Sequence, residues 1–192
     1  MAHKHTHHNS RAHVLDSTMG RLIITMLLNF VITIVQIIGG ILSGSLALIS
    51  DALHNFSDGV SIIISYIALK LKEKSNSQRH TFGLKRAEIL AAVINASVLI
   101  VIYIFLFYEA FNRLFEPHEV EAGTMTVVAL IGLIANIIGT LLLKKDAKTS
   151  MNIRSSYIHL LSDSVSSVAV IFGGLAIAFW IINWIDPALT FL

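Results

Sequence analysis

An all-α bundle of membrane-spanning helices is the fold this sequence predicts, on three observations. Of the 192 residues, 55% are hydrophobic, and the mean hydropathy is +0.74; ordinary soluble domains are less apolar. Apolar runs near twenty residues recur along the chain, the length that crosses a hydrocarbon core about 30 Å thick. The basic residues cluster between alternate runs.

Taken in order, the runs predict five spans, at 22–41, 46–71, 89–108, 123–143 and 155–182. The closing "IDPALTFL" reads as the start of a sixth helix. At about 1.5 Å per residue it is too short to cross. An odd number of spans would leave the C-terminus outside, so the expectation is a chain truncated in its sixth helix. Residues 1–20 form a polar leader with five histidines, and the first ten residues show no separate cleavable signal peptide. The chain has no cysteine, which excludes thiolate metal sites.

Charge sets the expected orientation. Lys4, Arg11 and Arg21 precede the first span. Lys70, Lys72, Lys74, Arg79, Lys85 and Arg86 separate the second from the third, and Lys144, Lys145, Lys148 and Arg154 separate the fourth from the fifth. That places 13 of the 14 basic residues on one side. The other side carries the tight "SGS" turn, the acidic "RLFEPHEVEAG" loop and "NWIDP". The positive-inside rule then makes the N-terminus cytoplasmic. The basic residues read as topology signals, with no nucleic-acid partner implied.

One motif occurs twice. His54-Asn-Phe-Ser57-Asp58-Gly-Val60-Ser61 and His159-Leu-Leu-Ser162-Asp163-Ser-Val165-Ser166 both read H-x-x-S-D-x-V-S. The copies fall on the second and fifth spans, which run in opposite directions. Inverted echoes of this kind mark transporters that bind their substrate near the midplane. Residues i and i+4 share a helix face, so His54 points with Asp58 and His159 with Asp163. Two antiparallel helices can thus bring two imidazoles and two carboxylates to one point. That is a complete tetrahedral shell for Zn²⁺. Two carboxylates also cancel the dication, which matters where net charge is expensive. Without metal, desolvation and mutual repulsion favour protonated carboxyls, so metal binding expels protons.

Other polar residues carry blander readings. Asn29, Gln36, Asn95, Asn136, Thr140 and the serines suit helix-to-helix hydrogen bonds. Asp51 lies one turn before His54 and either lines an approach path or braces the site. His3, His5, His7, His8 and His13 either capture metal loosely at the cytoplasmic mouth or form a solvated tail. His80 and His118 read as solvated loop residues.

The stretches "SLALISDALHNFSD", "RHTFGLKRAEILAAVINA", "YIHLLSDSVSSVAV" and "WIDPAL" resemble the cation diffusion facilitators, in their zinc-transporting branch. The resemblance covers nearly the whole chain after residue 20. It implies Zn²⁺ export from the cytoplasm driven by inward protons, with cadmium or cobalt as further cargo. It implies a six-helix transmembrane domain, here 21–192, a following cytoplasmic domain absent from this chain, and a homodimer. The family's transport positions carry over as His54, Asp58, His159 and Asp163. Members with Asp at the first His position are associated with broader metal choice; here that position is His54.

The resulting expectation is a multi-pass protein of the cell (inner) membrane, not an enzyme, that exchanges zinc for protons by alternating access. An intramembrane metalloenzyme would need an open coordination position and a general base, as in H-E-x-x-H, and the sequence has no such motif. A passive metal channel would need neither proton coupling nor a saturating ligand cage.

Overall fold

The computed structural model describes residues 7–74, 81–116, 118–148 and 150–191, without the side chains of 7–19, 61–74, 81–88, 91 and 152. Within them every regular element is a helix: α1 (His7–Ser43), α2 (Leu46–Lys74), α3 (Thr81–Phe115), α4 (Ala122–Leu143), α5 (Met151–Trp180) and the short α6 (Ile185–Leu189). A single 3₁₀ turn, Asp146–Lys148, joins α4 to α5.

The five predicted spans fall on α1 to α5. Four stretches, Gly20–Ser43, Ala92–Phe115, Ala122–Leu143 and Ile153–Trp180, are long and apolar enough to cross a membrane. The fifth helix, α2, has 29 residues, roughly 43 Å of helix; the side chains of its second half lie outside the described residues. Several boundaries differ from the sequence reading, and α3 runs over Thr81–Phe115 where 89–108 was expected. The helix of the first span starts at His7, well inside the polar leader. Nothing between His7 and Met19 breaks a helix, and extending an existing helix adds one hydrogen bond per residue fixed. At the other end α5 stops at Trp180, because Ile181 turns left-handed at φ 55 and donates its N–H to the Ile177 carbonyl at 2.9 Å. That conformation is rare for a β-branched residue. It turns the chain so that α6 meets the start of α2.

One end of the bundle is tied by polar contacts. Gly44 closes α1 at φ 71, a conformation glycine adopts without strain. Its carbonyl accepts from Arg113 Nη1 at 2.7 Å. Glu121 donates its backbone N–H to the Ser43 carbonyl at 2.9 Å. The Glu121 carboxylate caps α4, accepting from Gly123 N–H at 3.1 Å and Thr124 N–H at 2.7 Å. Hydrogen bonding from Thr124 holds this carboxyl below its usual range. The fully buried Asp186 caps α2 from across the bundle. It accepts from Ser45 Oγ at 2.5 Å, Leu46 N–H at 2.8 Å and Ala47 N–H at 3.3 Å. At the opposite end Arg21 pairs with Asp146 at 3.5 Å.

Helix α1 packs against α2 and α4, α4 runs along α5, and α2 runs along α3. The α1–α4 crossing needs Gly39, where a Cβ would lie 2.5 and 2.8 Å from the Val128 methyls. Apolar residues fill both ends of the bundle. Leu48, Met125, Val128 and Val170 pack near the capped end, and Leu143, Ile153 and Leu160 near the other. The middle is polar instead: Thr33, Gln36, Asn55, Asn136 and Ser167 are all buried there. A polar storey at mid-depth of a membrane bundle is expensive to hold, and this one surrounds the doubled motif.

Candidate metal centre

Helices α2 and α5 each present their copy of the motif to the polar storey. Asp58 Oδ2 lies 3.2 Å from His159 Nε2 and 3.7 Å from His54 Nε2. Asp163 Oδ2 lies 3.5 Å from His159 Nε2. The two imidazole rings stand 5.8 Å apart at an interplanar angle of 54°. Bonds of about 2.0–2.2 Å to a tetrahedral ion set neighbouring donors roughly 3.3–3.6 Å apart, close to these separations.

Among the described residues, His54, Asp58 and His159 form the one group of three or more potential donors drawn together, with one donor atom from each within 4.8 Å of the others. Asp163 stands beside that group through His159. His159 Nε2 and Asp163 Oδ2 are buried and lack a hydrogen-bond partner. Buried polar atoms are normally satisfied, so unpartnered donors at ligand spacing suit a cation better than a structural hydrogen bond.

Asp51 is near but apart. Its carboxylate accepts from the Gln36 side-chain amide, and Gln36 Oε1 in turn accepts from Asn55 Nδ2 at 3.4 Å. Helices α1 and α2 are thus joined by a polar chain one turn from His54. Sequence reasoning assigned Gln36 to hydrogen bonding and left Asp51 open. Asp186 escaped it as a structural residue, because it caps the start of α2 from α6, across a long sequence separation. Of the leader histidines, His3 and His5 lie outside the described residues, as do the side chains of His7, His8 and His13. His80 lies outside them too; His118 is exposed, with Nδ1 3.1 Å from the Glu116 carbonyl oxygen.

Two cavities approach the cluster from opposite ends. The larger, about 350 Å³, lies toward the capped end and is lined by Asp51, His54, Tyr103, Asp163, Ser166 and Thr190 among others. The smaller, about 130 Å³, lies toward the Arg21–Asp146 end and takes in Thr25, Asn29, Asn55, Asp58 and His159. The motif residues therefore divide: His54 and Asp163 face one cavity, Asp58 and His159 the other.

A polytopic helical bundle with a His/Asp cluster between two opposed cavities has the layout of a membrane transporter. The cation efflux transmembrane domain family matches residues 22–192, and the chain belongs to that family. It is 40% identical over 190 residues to the cadmium, cobalt and zinc/H(+)-K(+) antiporter of Bacillus velezensis, covering 98% of this chain and 59% of that protein. It is 36% identical over 193 residues to zinc transporter ZitB of Escherichia coli, covering 100% and 61%. With the metal cation efflux system protein CzcD of Cupriavidus metallidurans the identity is 39% over 159 residues, covering 83% and 50%. The chain thus spans about half to three-fifths of the length of these curated relatives. It is a multi-pass integral membrane protein.

Proposed function

We propose that this protein exports divalent metal, zinc foremost, from the cytoplasm across the cell (inner) membrane in exchange for protons, by alternating access. His54, Asp58, His159 and Asp163 bind the ion. The observation that carries this reading is the donor spacing: three edges of 3.2, 3.5 and 3.7 Å between imidazole nitrogens and carboxylate oxygens. Two carboxylates balance the dication, and loss of the metal leaves groups that take up protons in its place. Proton exchange accounts for the pair of cavities better than a channel does, since a continuous pore has no need of a cage that holds the ion. The printed names of the relatives, which include zinc, cadmium and cobalt transport and proton antiport, support the same cargo and coupling here.

The basic end of the bundle is taken as cytoplasmic, which makes the smaller cavity the loading side and the larger the release side. The leader, residues 1–20, serves as a loose metal collector at the loading side, and a homodimer is the assembly the family resemblance implies. The test is uptake of Zn²⁺ into proteoliposomes with internal pH followed in the same vesicles. Zinc entry matched by proton exit supports antiport. Zinc entry without proton movement points to a channel, and no zinc entry ends the reading.

A further inference from the structure

The larger cavity holds a carboxylate that the four-residue cage does not use. Asp51 lines it together with His54 and Asp163. One Asp51 oxygen is anchored by the Gln36 side chain, which fixes the group while leaving its second oxygen for another partner. Asp163, itself buried, lines the same cavity, and its Oδ2 has no hydrogen-bond partner. One imidazole and two carboxylates therefore line one side of a space of about 350 Å³, ample for a cation that carries water.

A transported ion must be held firmly enough to enter and loosely enough to leave. A closed cage of four protein donors answers the first need and works against the second. Exchanging Asp58 and His159 for Asp51 and water opens the shell on the release side. Two carboxylates face the dication in either place, Asp58 with Asp163 in the cage and Asp51 with Asp163 in the cavity. The step balances when a proton passes from Asp51 to the vacated Asp58 as the ion moves, so that no net charge is left at mid-depth, where charge is costly.

On the transport reading given above, we propose that Asp51, with His54 and Asp163, forms a release subsite for the divalent cation. The ion passes through it between the cage and the exit face, with water completing its coordination.

The test uses the purified protein in proteoliposomes with Zn²⁺ as the probe. Two quantities are read: the initial rate against zinc on the loading side, and inhibition by zinc added on the release side. Asp51→Asn keeps the shape and the Gln36 contact but removes the charge. It is expected to lower the maximal rate by about tenfold with half-saturation on the loading side changed by less than about twofold. The zinc needed for release-side inhibition should rise by about tenfold. Asp51→Glu should recover part of both. Should Asp51→Asn fail to insert, Asp51→Ser, which also lacks the carboxylate, must give the same pattern. A wild-type rate with unchanged release-side inhibition in either variant overturns the subsite while leaving the transport reading intact. Raised half-saturation on the loading side with an intact maximal rate also overturns it, by moving Asp51 to the other face. A wild-type protein that moves no zinc defeats the transport reading and the subsite with it.

Discussion

Asp58 on α2 and His159 on α5 belong to opposite copies of one motif, and their side chains meet at 3.2 Å. No helix-local rule brings them together; that contact depends on α2 and α5 running antiparallel at matched depth. It joins the two halves of the proposed cage, and Asp163 lies against His159 at 3.5 Å.

Asp163→Ala should therefore abolish zinc transport while leaving membrane insertion intact. Loss of a group that merely orients a ligand costs about 10–100-fold in metal affinity; removal of a ligand should exceed the upper end of that range. Zinc binding to the purified variant, measured by titration, checks this. Near-wild-type affinity would remove Asp163 from the cage.

Zinc affinity should fall as pH is lowered, because imidazole and carboxylate ligate only when deprotonated. Acid on the loading side adds protons that compete with the metal, so the sign is a loss of binding with falling pH. The change should lie within about pH 5 to 8 if histidines ligate, since that is where histidine ordinarily changes charge. Isothermal titration at several pH values in buffers of different ionisation enthalpy would also count the protons released. A constant affinity with no proton release would contradict the proposed donor set.

Much of this was legible in the sequence. The repeat H-x-x-S-D places His54 with Asp58 and His159 with Asp163 by i,i+4 spacing alone, and hydropathy locates all five long helices. What escaped is of another physical kind. Asp186 acts on Leu46, 140 residues away, and no periodicity encodes such a contact. The Gln36 bond to Asp51 crosses between helices in the same way. The helical leader from His7 was missed because a polar segment gives no hydropathy signal, whereas the helix propagates through it. The division of the four donors between two cavities depends on side-chain direction in three dimensions.

The Asp186 cap leads to a stability prediction. Asp186→Ala leaves the first N–H groups of α2 and the Ser45 hydroxyl without their acceptor. Losing a helix cap costs about 0.5–2 kcal/mol, and each buried donor left unpaired adds about 1–3 kcal/mol. Thermal unfolding in detergent should show a lower midpoint for Asp186→Ala, with Asp186→Asn intermediate because its amide oxygen still accepts. An unchanged midpoint for Asp186→Ala would mean the cap contributes little.

Selectivity should follow the first motif residue. His54→Asp replaces a neutral nitrogen donor with a charged oxygen donor that binds through one or two atoms, so the shell can expand for a larger ion. The extra negative charge also unbalances the site around a dication. The variant should relax the preference for Zn²⁺ over Cd²⁺ and retain transport. Both metals measured in the same vesicles test this, and an unchanged ratio in an active variant would show that His54 does not set the choice.

Zinc X-ray absorption on the purified protein tests the cage most directly. The sample should lack residues 2–13, so that the leader histidines contribute no signal. Four nitrogen and oxygen neighbours at about 2.0–2.2 Å are expected, with the outer-shell scattering of two imidazoles. His159→Ala should remove one imidazole from that pattern, and His54→Ala the other. A six-coordinate, all-oxygen shell, or an imidazole count unaffected by either substitution, would contradict the proposal that these residues hold the metal.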